Sequence, residues 1–269
     1  MRFDLTEGDK VSEQTDLSNE AVEVINAGAK APLVLVCEHA AREIPACFDG
    51  LGLDAAARES HVAWDPGALA VARAMGQDLD AVLVAGRVSR LVYDCNRPPE
   101  APGAMPAQSE IFAIPGNASL DEAGRTERVT RYYEPFRTTL AATIKRVDAP
   151  AIVTVHSFTP IYHGKPRRVE IGILHDSDTR LADAMLAVAP EFTDLTVERN
   201  APYGPQDGVT HTLKEHGLAH GHPHVMLEIR NDLITTEAEQ QQMAAMISNW
   251  LRAALMRPEM NDAMKDAKP

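Results

Sequence analysis

Two histidines stand where apolar runs give out. VLVCEHA delivers Glu38 and His39, and AIVTVHSF delivers His156 and Ser157. Acids and arginines accompany them: His61 and Asp65 in HVAWDPGA, Arg90, Asp94, Asn96 and Arg97 in SRLVYDCNRPP, and Glu228 and Arg230 in PHVMLEIR. Two imidazoles, one carboxylate and an open coordination position make a hydrolytic zinc set. A carboxylate outside the ligand set can act as general base on water. Arginines nearby can hold a carboxylate or an oxyanion.

Each residue also has a plainer use. A strand-end histidine can be a satisfied polar group, and Asp65 can cap the helix that follows Pro66-Gly67. Asn96-Arg97-Pro98 can be an ordinary turn. Glu228 can pair with Arg230 or another arginine, since an unpaired carboxylate in an apolar strand is costly. The AHGHPH run (His220, His222, His224) has a metal-tract look but follows a helix end and reads as loop. His163, His175, His211 and His216 stay unassigned.

The elements that must position these groups follow from patterning. Apolar, β-branched runs predict strands over 31–37, 81–86, 151–155, 169–174 and 223–230. Helical spacing predicts helices over 67–79, over LADAMLAVA and over VTHTLKEHG, the last ending at Gly217. Ser119 with Glu122 reads as a capping box opening a long helix to about Val147, kinked near Pro135. Thr236 with Glu239 caps a final helix striped by Met243, Met246, Ile247, Trp250 and Leu251. Short strands alternating with helices predict an α/β fold: a mixed, mostly parallel sheet covered by helices on both faces. Ligands of such sheets sit beyond the carboxyl ends of the strands, where the histidines and acids lie. The organisation expected is a frayed N-terminus over 1–18, a single α/β hydrolase-type domain over 19–257 and a flexible tail over 258–269.

Composition narrows the function. The 269 residues are 45% hydrophobic, enough for a full core. A formal net charge of −13 leaves no cationic excess for nucleic acid or an anionic membrane. No apolar run approaches the roughly 20 residues of a membrane span, and the acidic start is unlike a signal peptide. Three cysteines without CxxC spacing predict reduced thiols and a cytoplasmic protein. Neither GxGxxG nor GxxxxGK[ST] occurs, so no dinucleotide or NTP is expected. Oligomeric state is left open.

The stretches LVCEHAAREIP, WDPGALAVARAM, SRLVYDCNRP, VTVHSFTP, NAPYGPQDGVTHTLKEHG and VMLEIRNDLI together resemble the N-formylglutamate amidohydrolase family, from about residue 20 to 255. The resemblance implies a fold similar to the zinc-dependent carboxypeptidases (zinc-exopeptidase-like, phosphorylase/hydrolase-like). It implies hydrolysis of N-formyl-L-glutamate to formate and L-glutamate, a late step of histidine breakdown. His156, followed by serine, is similar to a zinc ligand of those enzymes. Asn96-Arg97 resembles their clamp on a substrate carboxylate, Arg90 their carbonyl-polarising arginine and Glu228 their general base.

The pattern departs at one point. Those enzymes space their first two ligands HxxE, and position 42 here is Arg. Asp65 is then the third ligand beside His39 and His156, with Glu38 the alternative. The expected cofactor is Zn2+ or another divalent ion. The expected partner is a small anionic N-acyl amino acid, held by Asn96, Arg97 and Arg230. The same chemistry on another N-acyl amino acid or peptide-like amide is the enzymatic alternative. A non-catalytic binding module for anionic small molecules is the alternative of another class.

Overall fold

The computed structural model describes residues 20–266; the expectation for 1–18 falls outside them. The chain builds strands β1 (Val22–Ile25), β2 (Leu33–Cys37) and β3 (Val82–Gly86), with helix α1 (Ala68–Asp78) crossing between β2 and β3. A short hairpin follows, β4 (Gln108–Ser109) and β5 (Phe112–Ala113), then helices α2 (Glu122–Arg128) and α3 (Glu134–Ile144). Next come β6 (Ala151–Phe158), a second small hairpin β7 (Ile161–Tyr162) and β8 (Lys165–Pro166), β9 (Ile171–Leu174), helix α4 (Arg180–Val188) and β10 (Val197–Arg199). Strand β11 (His224–Arg230) precedes the long helix α5 (Glu237–Leu255) and helix α6 (Pro258–Asp266).

The main sheet has seven strands in the order β1-β3-β2-β6-β11-β9-β10. Its centre, β3-β2-β6-β11, is parallel. β1 and β9 pair antiparallel with β3 and β11, and β10 runs parallel to β9. The sheet is therefore mixed and mostly parallel, as patterning predicts. Every residue of β2, β3 and β6 is buried, the signature of strands covered on both faces.

Alternation along the strands separates the two cores. Leu33, Leu35, Val153, Val155, Val225 and Leu227 pack with α1, α4, α5 and α6 on one face. Val34, Val36, Val84 and Ile152 pack with Tyr93, Tyr132, Phe136 and Leu140 on the other. Trp250, fully buried on α5, donates its indole N–H to the Met185 carbonyl at 2.7 Å and so locks α5 to α4.

Several local expectations change. β6 does not stop at Val155: pairing with β11 continues to Phe158, so His156 and Ser157 lie inside the strand. The N-cap before Glu122 is Asp121, whose carboxylate accepts from the Gly124 N–H at 2.8 Å, and not Ser119. The kink near Pro135 takes the form of a π turn over Val129–Tyr133, just before a proline that has no N–H to give the preceding turn. The turn at 213–217 does not end at Gly217; it continues to His220 and closes at Gly221, at φ +71°. The capping box of Thr236 and Glu239 forms as expected. Cys37, Cys47 and Cys95 are free thiols, the first and third buried and Cys47 exposed.

The tail expected from 258 is instead α6 over its described part. Met260 and Ala263 are buried in the core with α4 and α5, and Pro258 sits at the helix start, where its missing N–H costs nothing. Met260→Ala is expected to lower unfolding stability by about 2–4 kcal/mol in chemical denaturation. An unchanged midpoint would return this segment to the status of a frayed tail.

Candidate metal centre and active site

The site gathers at the carboxyl ends of the parallel strands. β2 runs out into Glu38 and His39, β6 presents His156, and β11 presents Glu228 in register with His156. The turn carrying Asp65 is fastened between these strands. Its backbone N–H donates to the His39 carbonyl at 3.0 Å, and Ser157 donates through its hydroxyl to the Pro66 carbonyl at 2.8 Å. Gly67 completes the turn at φ +82°; a Cβ there would stand 2.6 Å from the Ile234 carbonyl. The cap of α1 is this glycine, with no side-chain bond, so the Asp65 carboxylate is not spent on capping.

Both imidazoles are gripped from behind. His156 Nε2 lies 3.1 Å from Glu38 Oε2, and His39 Nε2 lies 2.7 Å from Asp94 Oδ1. A carboxylate only accepts, so a neutral His39 that gives its Nε2 proton to Asp94 turns the Nδ1 lone pair forward, while Glu38 lies behind His156 as a charge partner. The two Nδ1 atoms face each other at 3.2 Å. Asp65 Oδ2 sits 2.8 Å from His156 Nδ1 and 3.3 Å from His39 Nδ1. His39, Asp65 and His156 are 2–3% exposed. Three electron-rich atoms thus converge in a buried space, an arrangement that fits a shared cation. The donor types, two imidazole nitrogens and one carboxylate oxygen, suit zinc and several other divalent ions.

The electrostatics agree with that fit. Burial opposes charge on His156, but Glu38 and Asp65 outweigh it and hold its pKa well above the ordinary value. Burial and Arg90 lower His39, yet Asp94 and Asp65 prevail and the net shift is upward. Asp65 and Asp94, despite burial, are held below the usual carboxylate range, chiefly by His39. The surrounding acids therefore favour positive charge on the imidazoles.

A model of the N-formylglutamate amidohydrolase family matches residues 31–235. The chain belongs to that family. The crystal structure of gene product Atu2144 from Agrobacterium tumefaciens is similar at 55% identity, with a TM-score of 0.86, covering 89% of this chain and 96% of that one. The N-formylglutamate amidohydrolase from Ralstonia eutropha JMP134 is similar at 21% identity and a TM-score of 0.55, covering 87% and 98%. The second likeness shows the shared α/β fold. No curated protein matches the chain.

Within the family fold, the predicted site residues fall into two groups. His39, Asp65, Arg90, Asn96, Arg97, His156 and Glu228 all reach one cavity of about 330 Å³. Arg90 spans two carboxylates of the site, with Nη1 3.4 Å from Asp65 Oδ1 and Nη2 3.1 Å from Asp94 Oδ2. Burial, with Asp65 adding to it, pushes the Glu228 carboxyl up to about 7 against the pull of His156 and Arg90. Its Oε2 has no hydrogen-bond partner.

Asn96 and Arg230 stand differently. The Asn96 amide donates to the Val209 carbonyl at 2.6 Å and accepts from the Thr212 N–H at 3.0 Å, so it anchors the 205–212 loop with both ends. Arg230 does not line the cavity. It turns away to Asp232 at 2.8 Å and Glu170 at 3.2 Å, the nearby acids that its position at the strand end brings within reach. Arg97 reaches the wall but donates to the Asp207 carbonyl at 2.6 Å. Glu38, the alternative third ligand, contacts the far nitrogen of His156 and is not part of the convergent group.

Sequence reasoning noted Asp94 without assigning it, and missed Glu110, Tyr162 and Tyr203 on the cavity wall. The signal for Asp94 lay in the SRLVYDCNRP motif; the wall residues carry no local pattern. His220 is exposed, while His222 and His224 are buried, and His224 Nδ1 donates to the His222 carbonyl at 2.7 Å. None of the three lines the cavity, and His224 lies in β11 and not in a loop.

Glu38→Gln is expected to weaken zinc binding about 10–100-fold in calorimetric titration, as losing the carboxylate behind a ligating histidine does elsewhere. Wild-type affinity in this variant would show that the Glu38 contact does not orient His156.

Proposed function

We propose that the chain is a metal-dependent amidohydrolase that cleaves the N-formyl, or a related N-acyl, amide of an amino acid, N-formyl-L-glutamate being the first candidate. The balanced reaction is N-formyl-L-glutamate plus water to formate plus L-glutamate. The observation that carries the reading is the convergence of His39 Nδ1, His156 Nδ1 and Asp65 Oδ2 beside a buried, unpartnered carboxyl oxygen of Glu228. Family membership over 31–235 supports the reaction type.

His39, Asp65 and His156 would hold the ion, zinc by the donor set. When bound, it supplies Lewis acidity at the scissile carbonyl and eases the deprotonation of water. The chain's own groups do the rest. Glu228 accepts a proton from the attacking water and returns it to the leaving nitrogen, a task suited to a carboxyl pushed up to about 7. Arg90, held charged by Asp94 and Asp65, faces the oxygen that gains negative charge as water adds to the formyl carbon. Arg97 is the guanidinium placed for the α-carboxylate at the cavity wall. Asn96 serves by fixing the 205–212 loop, against which Arg97 rests.

Metal content separates this reading from a non-catalytic binding module. About one zinc per chain is expected by plasma mass spectrometry, lost in His156→Ala; no metal in either protein, even after zinc is added, would sink the hydrolase reading. Glu228→Gln is expected to lower kcat by about a hundredfold or more while zinc stays bound. Full activity in that variant would remove Glu228 from the proton transfer.

A further inference from the structure

One acidic residue on the cavity wall has no place in the chemistry above. Glu110 sits at the turn of the β4–β5 hairpin with φ +49°, in the left-handed region that a residue with a side chain enters only at a cost. Gln108 fastens this turn by donating from its side chain to the Glu110 carbonyl at 2.9 Å. The conformation sends neighbouring residues opposite ways. Ile111 is 78% exposed, whereas the Glu110 side chain turns inward onto the cavity wall. There its Oε1 accepts from His61 Nε2 at 2.9 Å, with both side chains only partly exposed.

An inward carboxylate is unfavourable in a cavity that must admit an anion, unless it performs a task there. The wall's guanidiniums already have tasks in that reading: Arg90, beside Asp65 and Asp94, at the scissile oxygen, and Arg97, beside the Asp207 carbonyl, at the α-carboxylate. His61 is the wall imidazole that stands outside the His39–Asp65–His156 group, and Glu110 occupies it. A substrate with a single carboxylate leaves this contact alone. A substrate with a second carboxylate either displaces Glu110 from His61 or meets a like charge beside it.

We propose that Glu110 is a specificity-determining residue: held on His61, it denies that imidazole to a substrate's second carboxylate and so sets how the cavity ranks acidic against neutral side chains. The inference rests on the N-acyl amino acid reading above and concerns which amino acid the site prefers. Glu110 acts on binding through charge and through possession of a donor, so it has no part in the hydrolytic steps.

The test compares N-formyl-L-glutamate with its amide isostere N-formyl-L-glutamine. Both are titrated calorimetrically into zinc-loaded protein on a Glu228→Gln background, where turnover is suppressed: with no further change, with Glu110→Ala, with Glu110→Gln and with His61→Ala/Glu110→Ala. Glu110→Ala frees the imidazole and is expected to shift the affinity ratio toward the acid by about tenfold, the scale of one charge-assisted hydrogen bond. Glu110→Gln, which removes the charge but keeps an acceptor for His61, gives a smaller shift in the same direction. The double variant loses the gain. If both ligands bind and the ratio does not move in either single variant, the inference is overturned and the hydrolase reading stands. If neither ligand binds to any of the four proteins, the inference falls together with that reading.

Discussion

The contact on which the site depends is the grip of a carboxylate on the far nitrogen of each histidine. Glu38 holds His156 at 3.1 Å and Asp94 holds His39 at 2.7 Å. The Asp94 contact favours the His39 tautomer with the proton on Nε2 and a lone pair on the Nδ1 that faces Asp65, and Glu38 sets a negative charge behind the His156 ring. With the His39 proton reversed, a ring N–H would point into the convergent space and oppose a cation there. Both carboxylates are buried. The desolvation of Asp94 is offset by His39, Arg90 and the Asn96 N–H, and that of Glu38 by the charge it can share with His156.

The parallel sheet makes that grip possible. Val36 pairs with Thr154 across β2 and β6, and Glu228 pairs with His156 across β6 and β11. Residues two apart on a strand share a face. Glu38, His156 and Glu228 therefore rise on one side of the sheet in adjacent positions, and the contact between Glu38 and His156 follows from register. Asp65 comes from outside the sheet and must be tied in. The bonds from its N–H to the His39 carbonyl and from Ser157 to Asp65 and Pro66 do this, and Gly67 allows the chain to turn beneath Ile234.

The parts legible in the sequence are those written in period and composition. Apolar runs gave the five predicted strands because strands buried on both faces have no polar interruptions. β1 and β10 carry half-buried or exposed residues and lacked that mark. His39 and His156 were legible because a polar residue at the end of such a run is conspicuous. Arg230 was misplaced for a physical reason. Strand position puts it near the site, but an arginine's long side chain goes to whichever acids are closest, and Glu170 and Asp232 are not local in pattern. Asn96 was read as a substrate contact when its amide is consumed by backbone 113 and 116 residues away. No spacing rule reports such long-range partners. Glu110 was invisible because its orientation arises from a single left-handed residue in a two-residue hairpin turn.

The same charges that orient the site also leave it unbalanced. Glu38, Asp65, Asp94 and Glu228 are all buried around two imidazoles, and Arg90 is the guanidinium that touches two of these acids. If both imidazoles are neutral, the carboxylates exceed the cations, and their mutual repulsion is poorly screened away from water. One outlet is protonation of the imidazoles, which Glu38, Asp65 and Asp94 favour. A cation between the Nδ1 atoms and Asp65 would be another, and the acids behind the ligands would then add to its affinity. Glu228 responds to burial first, with Asp65 adding to it, and its proton affinity rises. The raised proton affinity of Glu228 and the convergence of His39, Asp65 and His156 thus share one cause, the crowding of buried acids at the strand ends: Glu38 and Glu228 arrive by strand register, Asp65 and Asp94 by turns tied against it.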